Sequence, residues 1–577
     1  MSLGFSRFSG LHTSSLDGPG AGGSLRRRAL CVLGALVLAG CGSAGQEGAD
    51  GAFDVLITDA RIVDGSGNPW YRADVGIRGD RIAEIGELTD RTALRTIDAA
   101  DRVVSPGFID MMGQSTLVLL TDPPSAESKL RQGITTYLSG EGGSPAPQSA
   151  ESLSPPMIGG TERRWTTYAE YFALLESEGI PINVVHDVGL TQVRSVVLGE
   201  GDVQPTPEQL EEMKALVRQA MEDGAVGTST SLIYPPAVYA STEELIELTR
   251  VAGEYGGVYF THMRNESHAV LDAIREAIAV GAGAGVPVHI YHLKAAGQDN
   301  WPLMSEALAL IDSARTAGMD VTADIYPYVR NGIGLGSFLH PRHYASGTAS
   351  FLQTLSDPSL RASLRREVET TSDWENWFRH VGMDWNNVLI VSAPEGIDPR
   401  VINRSVAEAA EVLGTDVWNA FFDLVQSGRV TVNPQSMNEE QKWQALRAEY
   451  VMIDTDASPV NPATAAGTHP RAFGAFPRVI AKYVREDSVL SLEDAVRRMT
   501  SMAANRLGLH DRGKVAPGMI ADLVIFDPEE IRDAADFGTD AMLYAEGVDF
   551  LFVNGAPVID DGELRNVRSG RVLRRGN

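Results

Sequence analysis

Two histidines stand at the ends of consecutive strand-like runs. The first run, Gly257 to His262, reads Gly-Val-Tyr-Phe-Thr-His, and the second, Val286 to His292, reads Val-Pro-Val-His-Ile-Tyr-His. A helical pattern over residues 267–284 separates the two runs. Strands joined by a helix lie parallel and adjacent, so both histidines are predicted to emerge at one carboxyl edge of a sheet. One metal ion can bind two such imidazoles. The competing interpretation is that each is a hydrogen-bonded core histidine.

The same alternation of strand-like and helix-like runs extends from about residue 105 to 507. It predicts a parallel α/β fold, with strand-like runs at 182–186, 224–230, 319–325 and 388–392. Residues 346–385 are helical in pattern and rich in charge and Trp, which indicates an insertion over the mouth of the fold. The end regions, 53–104 and 508–577, carry short alternating strands. We expect these two regions to pair into one small β-domain.

The start of the chain has the pattern of a targeting segment. Arg26-Arg-Arg28 precedes an apolar run over residues 29–39, followed by Cys41. The run is too short to span a bilayer, which takes about 20 apolar residues, and is typical of a secretory signal. Leu38-Ala-Gly-Cys41 resembles a bacterial lipobox, which predicts cleavage before Cys41, acylation of that residue and a tether over 42–52. We therefore expect a lipid-anchored protein of the bacterial cell envelope. The alternative is an ordinary signal peptide with a chance cysteine.

The net charge of the chain limits which partners it can bind, and its cysteine content limits which metal ligands it can offer. The net charge of −27 argues against a nucleic acid or an anionic membrane surface as partner. Membrane attachment is expected only through the N-terminal lipid, and the oligomeric state is left open. The two cysteines, Cys31 and Cys41, both lie near the start. A metal site in the rest of the chain must therefore use His, Asp, Glu or a modified Lys.

Short motifs in a common order give the chain a resemblance to a known family. It resembles the amidohydrolase superfamily, and within it the N-acyl-D-amino-acid deacylases, from about Phe53 to Arg575. The resemblance implies a (β/α)8 barrel (105–507) with a small β-sandwich domain built from both chain ends and a helical insertion. The carrying motifs are Ser105-Pro-Gly-Phe-Ile-Asp110, Gln132-Gly-Ile-Thr-Thr136, Gly140-Glu-Gly-Gly-Ser-Pro-Ala-Pro147, Ile233-Tyr-Pro-Pro236, Thr261-His-Met-Arg264, His292-Leu-Lys294, Asp324-Ile-Tyr-Pro-Tyr328, Thr455-Asp456, His469-Pro-Arg471 and Pro517-Gly-Met-Ile-Ala-Asp-Leu-Val524.

Two departures from the family pattern concern metal ligands. Family members carry a His-x-His pair after the first barrel strand, and Met112 and Gln114 stand at those positions here. A thioether and an amide are poor zinc ligands, so the more buried metal site of the superfamily is predicted to be absent. The deacylases also place a metal-binding cysteine in the loop that here reads Gly140-Glu-Gly-Gly143. Glu141 is the side chain there that can replace it, and the alternative is a solvated loop carboxylate.

The resemblance then implies a site with one zinc ion. Glu141, His262 and His292 supply two nitrogens and one oxygen and leave a position for water. Zinc lowers the pKa of its water to about 7. Asp456 matches the aspartate that shuttles the proton in the family, and the alternative for it is a turn or cap residue. Asp454, two residues earlier, is expected to be structural.

The substrate implied by the resemblance carries a free carboxylate. Arg471 can bind a carboxylate through two parallel hydrogen bonds, and Lys294 is expected to project to the same side as His292. Tyr234 and Tyr326 match substrate-binding tyrosines of the deacylases. Lys294 has a second possible role as a carbamylated metal bridge, which a single-metal site disfavours. His289, at odd spacing from His292, is expected to face away from the site.

These expectations together predict a zinc-dependent hydrolase of a linear amide C–N bond. N-acyl-D-amino acids are the leading substrates. The alternatives are a dipeptide or cyclic imide cleaved at the same site, or a non-catalytic envelope binding protein that kept the barrel after losing its chemistry.

Overall fold

A computed structural model describes residues 52–149, 155–538 and 541–575. The predicted signal segment, Cys41 and nearly all of the predicted tether lie outside these residues. Among the helices that the structure describes, none is both long enough and apolar enough to cross a membrane.

The described ranges form 23 strands and 17 α-helices, numbered here in chain order. The strands are β1 (Phe53–Ile62), β2 (Tyr71–Arg78), β3 (Arg81–Gly86), β4 (Ala93–Asp98), β5 (Val103–Pro106), β6 (Phe108–Asp110), β7 (Ile134–Ser139), β8 (Met157–Ile158), β9 (Thr161–Glu162), β10 (Asn183–His186), β11 (Val188–Gly189), β12 (Gly227–Ser231), β13 (Val258–His262), β14 (Val288–Ile290), β15 (Val321–Ile325), β16 (Ile333–Gly334), β17 (Val388–Ser392), β18 (Thr431–Pro434), β19 (Val451–Ile453), β20 (Leu523–Phe526), β21 (Val548–Val553), β22 (Ala556–Asp560) and β23 (Glu563–Leu564).

The helices are α1 (Val118–Thr121), α2 (Glu127–Leu130), α3 (Tyr168–Glu178), α4 (Leu190–Leu198), α5 (Pro207–Asp223), α6 (Thr242–Glu254), α7 (Val270–Ala284), α8 (Leu303–Thr316), α9 (Thr348–Thr354), α10 (Pro358–Thr370), α11 (Trp377–His380), α12 (Val406–Leu413), α13 (Val417–Gln426), α14 (Glu439–Arg447), α15 (Arg471–Arg478), α16 (Leu492–Met499) and α17 (Ser501–Leu507). A π-helical turn, Val479–Glu486, extends α15.

Strands from both ends of the described chain form one nine-stranded sheet. Its order is β23-β22-β21-β20-β5-β1-β2-β3, with β4 also paired to β1. The two ends meet where β20 runs antiparallel to β5. Alternate side chains of these strands pack into a shared apolar core that includes Ile57, Ile62, Val75, Leu523 and Ile525. This sheet leads directly into the first barrel strand, because Pro106 ends β5 and Phe108 begins β6.

The barrel strands are all parallel. One set has the order β6-β7-β10 and the other the order β11-β12-β13-β14-β15-β19. β10 and β11 are two parts of one interrupted strand, and Val226 N donates to His186 O at 2.9 Å across this junction. At the other junction Met111 N donates to Ile453 O at 3.4 Å, which links the first strand to the last. Eight parallel strand positions thus close into the (β/α)8 barrel.

The outer helices have local sequence signals that fix their ends. In α5, Thr206 accepts from Gln209 N, the Gln209 side chain bonds back to Thr206 N, and Pro207 occupies the first turn. This capping box satisfies amides that the helix itself leaves unpaired. The helix ends at Gly224, whose φ of 117° is readily adopted without a Cβ. Its buried stripe packs on the barrel through Met213, Val217, Ala220 and Met221.

A fully buried ion pair clamps the first strand of the barrel to the last. Lys129 Nζ lies 2.6 Å from Asp110 Oδ2, 2.5 Å from Thr455 Oγ1 and 2.6 Å from Ala457 O. Asp110 Oδ1 also accepts from Thr455 N at 2.9 Å. The clamp fixes the chain that leads into Asp456.

The segment between β15 and β19 carries an inserted subdomain. β16, β18 and β17 form an antiparallel sheet, and helices α9 to α13 pack around it. It has a separate aromatic cluster that includes Phe338, Trp377, Trp385, Trp418 and Phe421. The predicted insertion at 346–385 falls inside this longer segment. The prediction that 388–392 alternates with helices as part of the parallel fold is wrong. That run is β17, whose partner β18 lies antiparallel and 39 residues further along the chain.

Candidate metal centre

Three side chains converge at the carboxyl edge of the barrel. His262 is the last residue of β13, His292 follows β14 by two residues, and Glu141 follows β7 by two residues. Glu141 Oε1 lies 2.8 Å from His262 Nδ1 and 3.3 Å from His292 Nε2. Ligand atoms of all three residues lie within 4.8 Å of one another. The structure thus brings together the three predicted metal ligands, and two nitrogens with one carboxylate oxygen suit a divalent transition metal.

Four residues of the site have left-handed backbones. The φ angles are 56° at Gln114, 101° at Glu141, 37° at His292 and 43° at Asp456. Each follows a barrel strand, so the change of backbone ends the alternation of the strand and turns the side chain towards the barrel axis. Non-glycine residues hold such angles at an energetic cost, and functional sites are where this cost is commonly met.

The prediction that His289 faces away from the site is wrong. Its Nε2 lies 2.9 Å from Asp324 Oδ2, and the other oxygen of Asp324 accepts the backbone N–H of His292. His289 therefore lies one layer beneath His292 and supports it through Asp324. The odd spacing misled because β14 ends at Ile290 and the chain is no longer extended at His292.

Glu266 faces both imidazoles from the side opposite Glu141. Its Oε1 is 2.9 Å from His292 Nδ1, and its Oε2 is 3.4 Å from His262 Nε2. The contact at Nδ1 of His292 leaves its Nε2 facing Glu141, whereas Glu266 lies beside Nε2 of His262 without a hydrogen bond to it. Burial opposes ionisation, but the charges of His262, Lys294 and His292 hold the pKa of Glu266 well below its usual range. Such outer carboxylates fix the tautomer of ligand histidines.

The loop that carries Glu141 is fixed by close packing. A Cβ at Gly140 would lie 1.9 Å from Asp187 Oδ2, so this position requires glycine. Ser229 Oγ accepts from Gly142 N at 2.9 Å and donates to Asp187 Oδ1 at 2.5 Å. Burial raises the pKa of Asp187 to about 7, against the hydrogen bonds from Ser229 and Tyr291.

Asp456 lies beside the cluster, in contact with two side chains. Its Oδ1 accepts from Gln114 Nε2 at 2.8 Å, and its Oδ2 forms an ion pair with Arg471 Nη1. Burial raises the pKa of Asp456 above its ordinary value, although the Arg471 charge opposes the shift. A buried carboxyl with a raised pKa suits both accepting and donating a proton near neutral pH.

The predicted substrate-binding residues are Arg471, Tyr326, Tyr234 and Lys294, and all four lie near the three proposed ligands. Arg471 lies 4.6 Å above the ring of Tyr326, whose hydroxyl is buried without a hydrogen-bond partner among the described residues. The Tyr234 ring lies 5.6 Å from the His262 ring. Lys294 projects to the same side as His292, as expected, with its Nζ 2.7 Å from His292 Nδ1. Its Nζ also lies 2.7 Å from each oxygen of Glu266, so the ammonium is paired with the carboxylate that contacts the proposed ligand His292.

Three further residues were missed by sequence reasoning. Lys442 is buried 4.6 Å over the Tyr326 ring, and burial with the nearby Lys294 charge lowers its pKa to about 7. Glu375, from the inserted subdomain, accepts from Glu266 N at 3.2 Å, and burial raises its pKa to about 8. Glu266 had a usable signal, because it follows His262 by four residues. Lys442 and Glu375 had none, because each reaches the site from a distant element.

A cavity of about 840 Å³ opens beside Tyr234. The inserted subdomain supplies most of its walls, including Leu339, Tyr344, Trp374 and Trp377, and Arg264 and Glu375 add polar groups. The lining is mainly apolar. Such concave sites with a few polar groups are typical of small-molecule binding. Tyr234 lines the cavity and packs on His262, whereas the three proposed ligands are not among the residues that line it.

Comparisons with known proteins agree with this geometry. A sequence model of the amidohydrolase family matches residues 401–559. The chain is 34% identical over 526 residues to an N-acyl-D-glutamate deacylase of Alcaligenes xylosoxydans xylosoxydans, covering 91% of this chain and 97% of the relative.

Two solved structures are similar over the same span. One is an N-acyl-D-glutamate deacylase from Bordetella bronchiseptica in complex with zinc and a phosphonate inhibitor, with a TM-score of 0.76 and 31% identity. The other is a D-aminoacylase studied for its binuclear metal centre, with a TM-score of 0.75 and 32% identity. Each covers 91% of this chain and 100% of its own.

We expect the Glu266→Gln variant to bind zinc about 10–100-fold more weakly than the wild type, because an outer carboxylate that orients ligand histidines contributes on this scale. Competition with a chromogenic chelator measures the dissociation constant. Glu276→Gln is the matched control. Glu276 lies on the outer helix α7 and forms a bidentate ion pair with Arg264. Equal zinc affinity in the two variants would contradict the orienting role.

Proposed function

The chain belongs to the amidohydrolase family, together with the N-acyl-D-amino-acid deacylases, and on that basis we propose that it hydrolyses the amide bond of N-acyl-D-amino acids with one zinc ion per chain. The observation that carries the proposal is the convergence of Glu141, His262 and His292 beside the Asp456–Arg471 pair. A ligand cluster and a proton carrier at one barrel edge are the two parts that amide hydrolysis by water requires.

The reaction needs a nucleophile, a proton path and a held substrate. A zinc ion on Glu141, His262 and His292 would polarise the amide carbonyl and make a coordinated water more acidic. Asp456 accepts the proton that the attacking water loses, and then donates it to the amide nitrogen as the C–N bond breaks. The products are a carboxylate and a free amino acid. The raised pKa of Asp456 favours this two-way transfer.

The free carboxylate of the substrate is assigned to Arg471 and the Tyr326 hydroxyl. Both offer donors without a partner among the described residues, at Arg471 Nε and at Tyr326 Oη. Unsatisfied buried donors at a site are the groups that a ligand satisfies. The Lys294 ammonium contributes positive charge from its place on Glu266. The apolar cavity beside Tyr234 would receive an apolar part of the substrate.

The proposal of one zinc ion rests on the residues that replace the family histidines. Met112 is buried in an apolar cluster of the barrel with Ile109, Leu138 and Met452. The Gln114 amide directs its N–H groups, which cannot bind a metal, at Glu141 and Asp456. Neither residue offers a second ion a strong ligand.

The location of the protein is proposed from its first 41 residues. The basic triplet, the short apolar run and Leu38-Ala-Gly-Cys41 support export and acylation of Cys41. The catalytic body would then act at the cell envelope, attached by lipid. The net charge of −27 disfavours direct binding of the body to an anionic membrane surface.

The first test is a panel of N-acetyl-D- and N-acetyl-L-amino acids assayed for amine release. We expect hydrolysis of the D series, loss of activity on chelation, and recovery with about one zinc per chain by elemental analysis. Dipeptides and cyclic imides belong in the same panel. Activity confined to dipeptides or cyclic imides would overturn the proposed substrate. Two tightly held ions would overturn the proposed metal content.

The second test separates the proton carrier from the metal ligands. Asp456→Asn keeps the shape of the side chain but cannot accept a proton, so we expect kcat to fall at least about a hundredfold while zinc content is unchanged. Asp560→Asn, which alters an aspartate paired with Arg95 in the terminal sheet, is the control. Loss of zinc from Asp456→Asn would make Asp456 a ligand, and near-normal turnover would point to another base.

The third test concerns the anchor. We expect Cys41→Ser to move the protein from the membrane fraction to the soluble fraction, because acyl chains contribute about 0.8 kcal/mol per buried methylene. Cys31→Ser, the other cysteine of the chain, is the matched control and should remain with the membranes. Membrane fractionation followed by immunodetection gives the result. Unchanged fractionation of Cys41→Ser would place the attachment elsewhere.

A further inference from the structure

The side-chain amide of Gln114 spans two carboxylates that have different tasks. Its Nε2 donates to Glu141 Oε2 at 3.1 Å and to Asp456 Oδ1 at 2.8 Å. Both neighbours are carboxylates, which only accept hydrogen bonds when ionised, so the nitrogen of the amide must face them. One uncharged group thus connects a proposed metal ligand to the proposed proton carrier.

The position of Gln114 in the barrel explains why it can reach both. It follows β6, the first strand, by four residues, while Glu141 follows β7 and Asp456 follows β19. In a closed barrel the first strand lies between the second and the eighth. The Asp110–Lys129 ion pair beneath it fixes the first strand against Thr455, next to Asp456. Gln114 therefore starts from a rigid base.

The two carboxylates need something between them. Glu141 and Asp456 accept from the same Gln114 nitrogen, so two side chains of like charge lie close together. In family members that hold a histidine at this position, the resemblance implies a metal ion nearby. Gln114 supplies two N–H donors without a charge, and each hydrogen bond to a carboxylate stabilises its ionised form.

We propose that Gln114 is a positioning residue that ties Asp456 to Glu141 and so sets the proton carrier beside a site with one metal ion. The expected effect on turnover rests on the proposed function, whereas the expected effect on zinc affinity does not. In this role Gln114 acts through the two carboxylates that it holds.

The experiment uses the Gln114→Met variant, which has a side chain of similar length and no N–H donor. We expect it to retain one zinc per chain but to bind zinc about 10–100-fold more weakly, as for lost outer-shell partners. The kcat for the best N-acyl-D-amino acid should fall about 10–100-fold through misplacement of Asp456, while KM changes little. Loss of the donor also removes stabilisation of the Asp456 carboxylate. The acid limb of the kcat/KM profile should therefore move to higher pH.

Two further variants make the result decisive. Gln114→Asn keeps the amide but is one methylene shorter, so it cannot span both carboxylates and should show the same defects. Gln219→Met, which removes an amide–carboxylate bond to Asp223 on the exposed face of α5, should match the wild type in every measurement. These two variants separate the span of the amide from general effects of substitution.

Each outcome decides a different claim. Wild-type zinc affinity in both Gln114 variants overturns the tie to Glu141. A wild-type kcat and an unmoved acid limb overturn the tie to Asp456. If the wild-type protein hydrolyses no N-acyl amino acid, the proposed function fails, and the zinc measurements alone decide the role of Gln114 through Glu141.

Discussion

Charges buried at the mouth of this barrel have to be matched within hydrogen-bond reach, because taking an isolated ion out of water costs several kcal/mol. Three of the buried cations meet this constraint with an ion pair, whereas for Lys442, which packs on the Tyr326 ring, burial lowers the pKa to about 7. Lys129 is matched by Asp110, Lys294 by Glu266, and Arg471 by Asp456. The placement of each functional group follows from its partner. Glu266 can face His292 as a carboxylate because, against burial, the charges of His262, Lys294 and His292 hold its pKa well below its usual range. Asp456 is held between Arg471 and Gln114.

The convergence of His262 and His292 follows from a local pattern, whereas Glu141 was proposed from the family resemblance, and metal binding by the three stays a prediction. The βαβ unit around His262 and His292 was readable because two strand-like runs flank one amphipathic helix, and the three proposed ligands do come together. The two errors have different causes. Strand periodicity was extended past Ile290, where the backbone turns left-handed, so His289 was assigned to the wrong side. β17 was read as part of the parallel alternation because a short apolar run carries no information about its partner.

Other features depend on contacts that no single-sequence pattern encodes. Glu375 and Lys442 come from elements more than 100 residues away from His262, and only the fold brings them near Glu266 and Tyr326. The ion pair of Lys294 with Glu266 was missed for the same reason. The sequence identified Gln114 as a departure from the family, but the double hydrogen bond that gives it a task is visible only in three dimensions.

The cavity beside Tyr234 and the proposed catalytic residues are built from different segments of the chain. The proposed ligands and proton carrier lie at or just after the ends of barrel strands, whereas most of the cavity wall belongs to the inserted subdomain, which packs around its own aromatic cluster. The proposed catalytic residues belong to the barrel and the cavity wall belongs mainly to the inserted subdomain. Each of these segments has its own apolar core. Under the proposed function, exchange of wall residues such as Leu339 or Tyr344 is expected to change the acyl or side-chain groups accepted while the barrel stays intact.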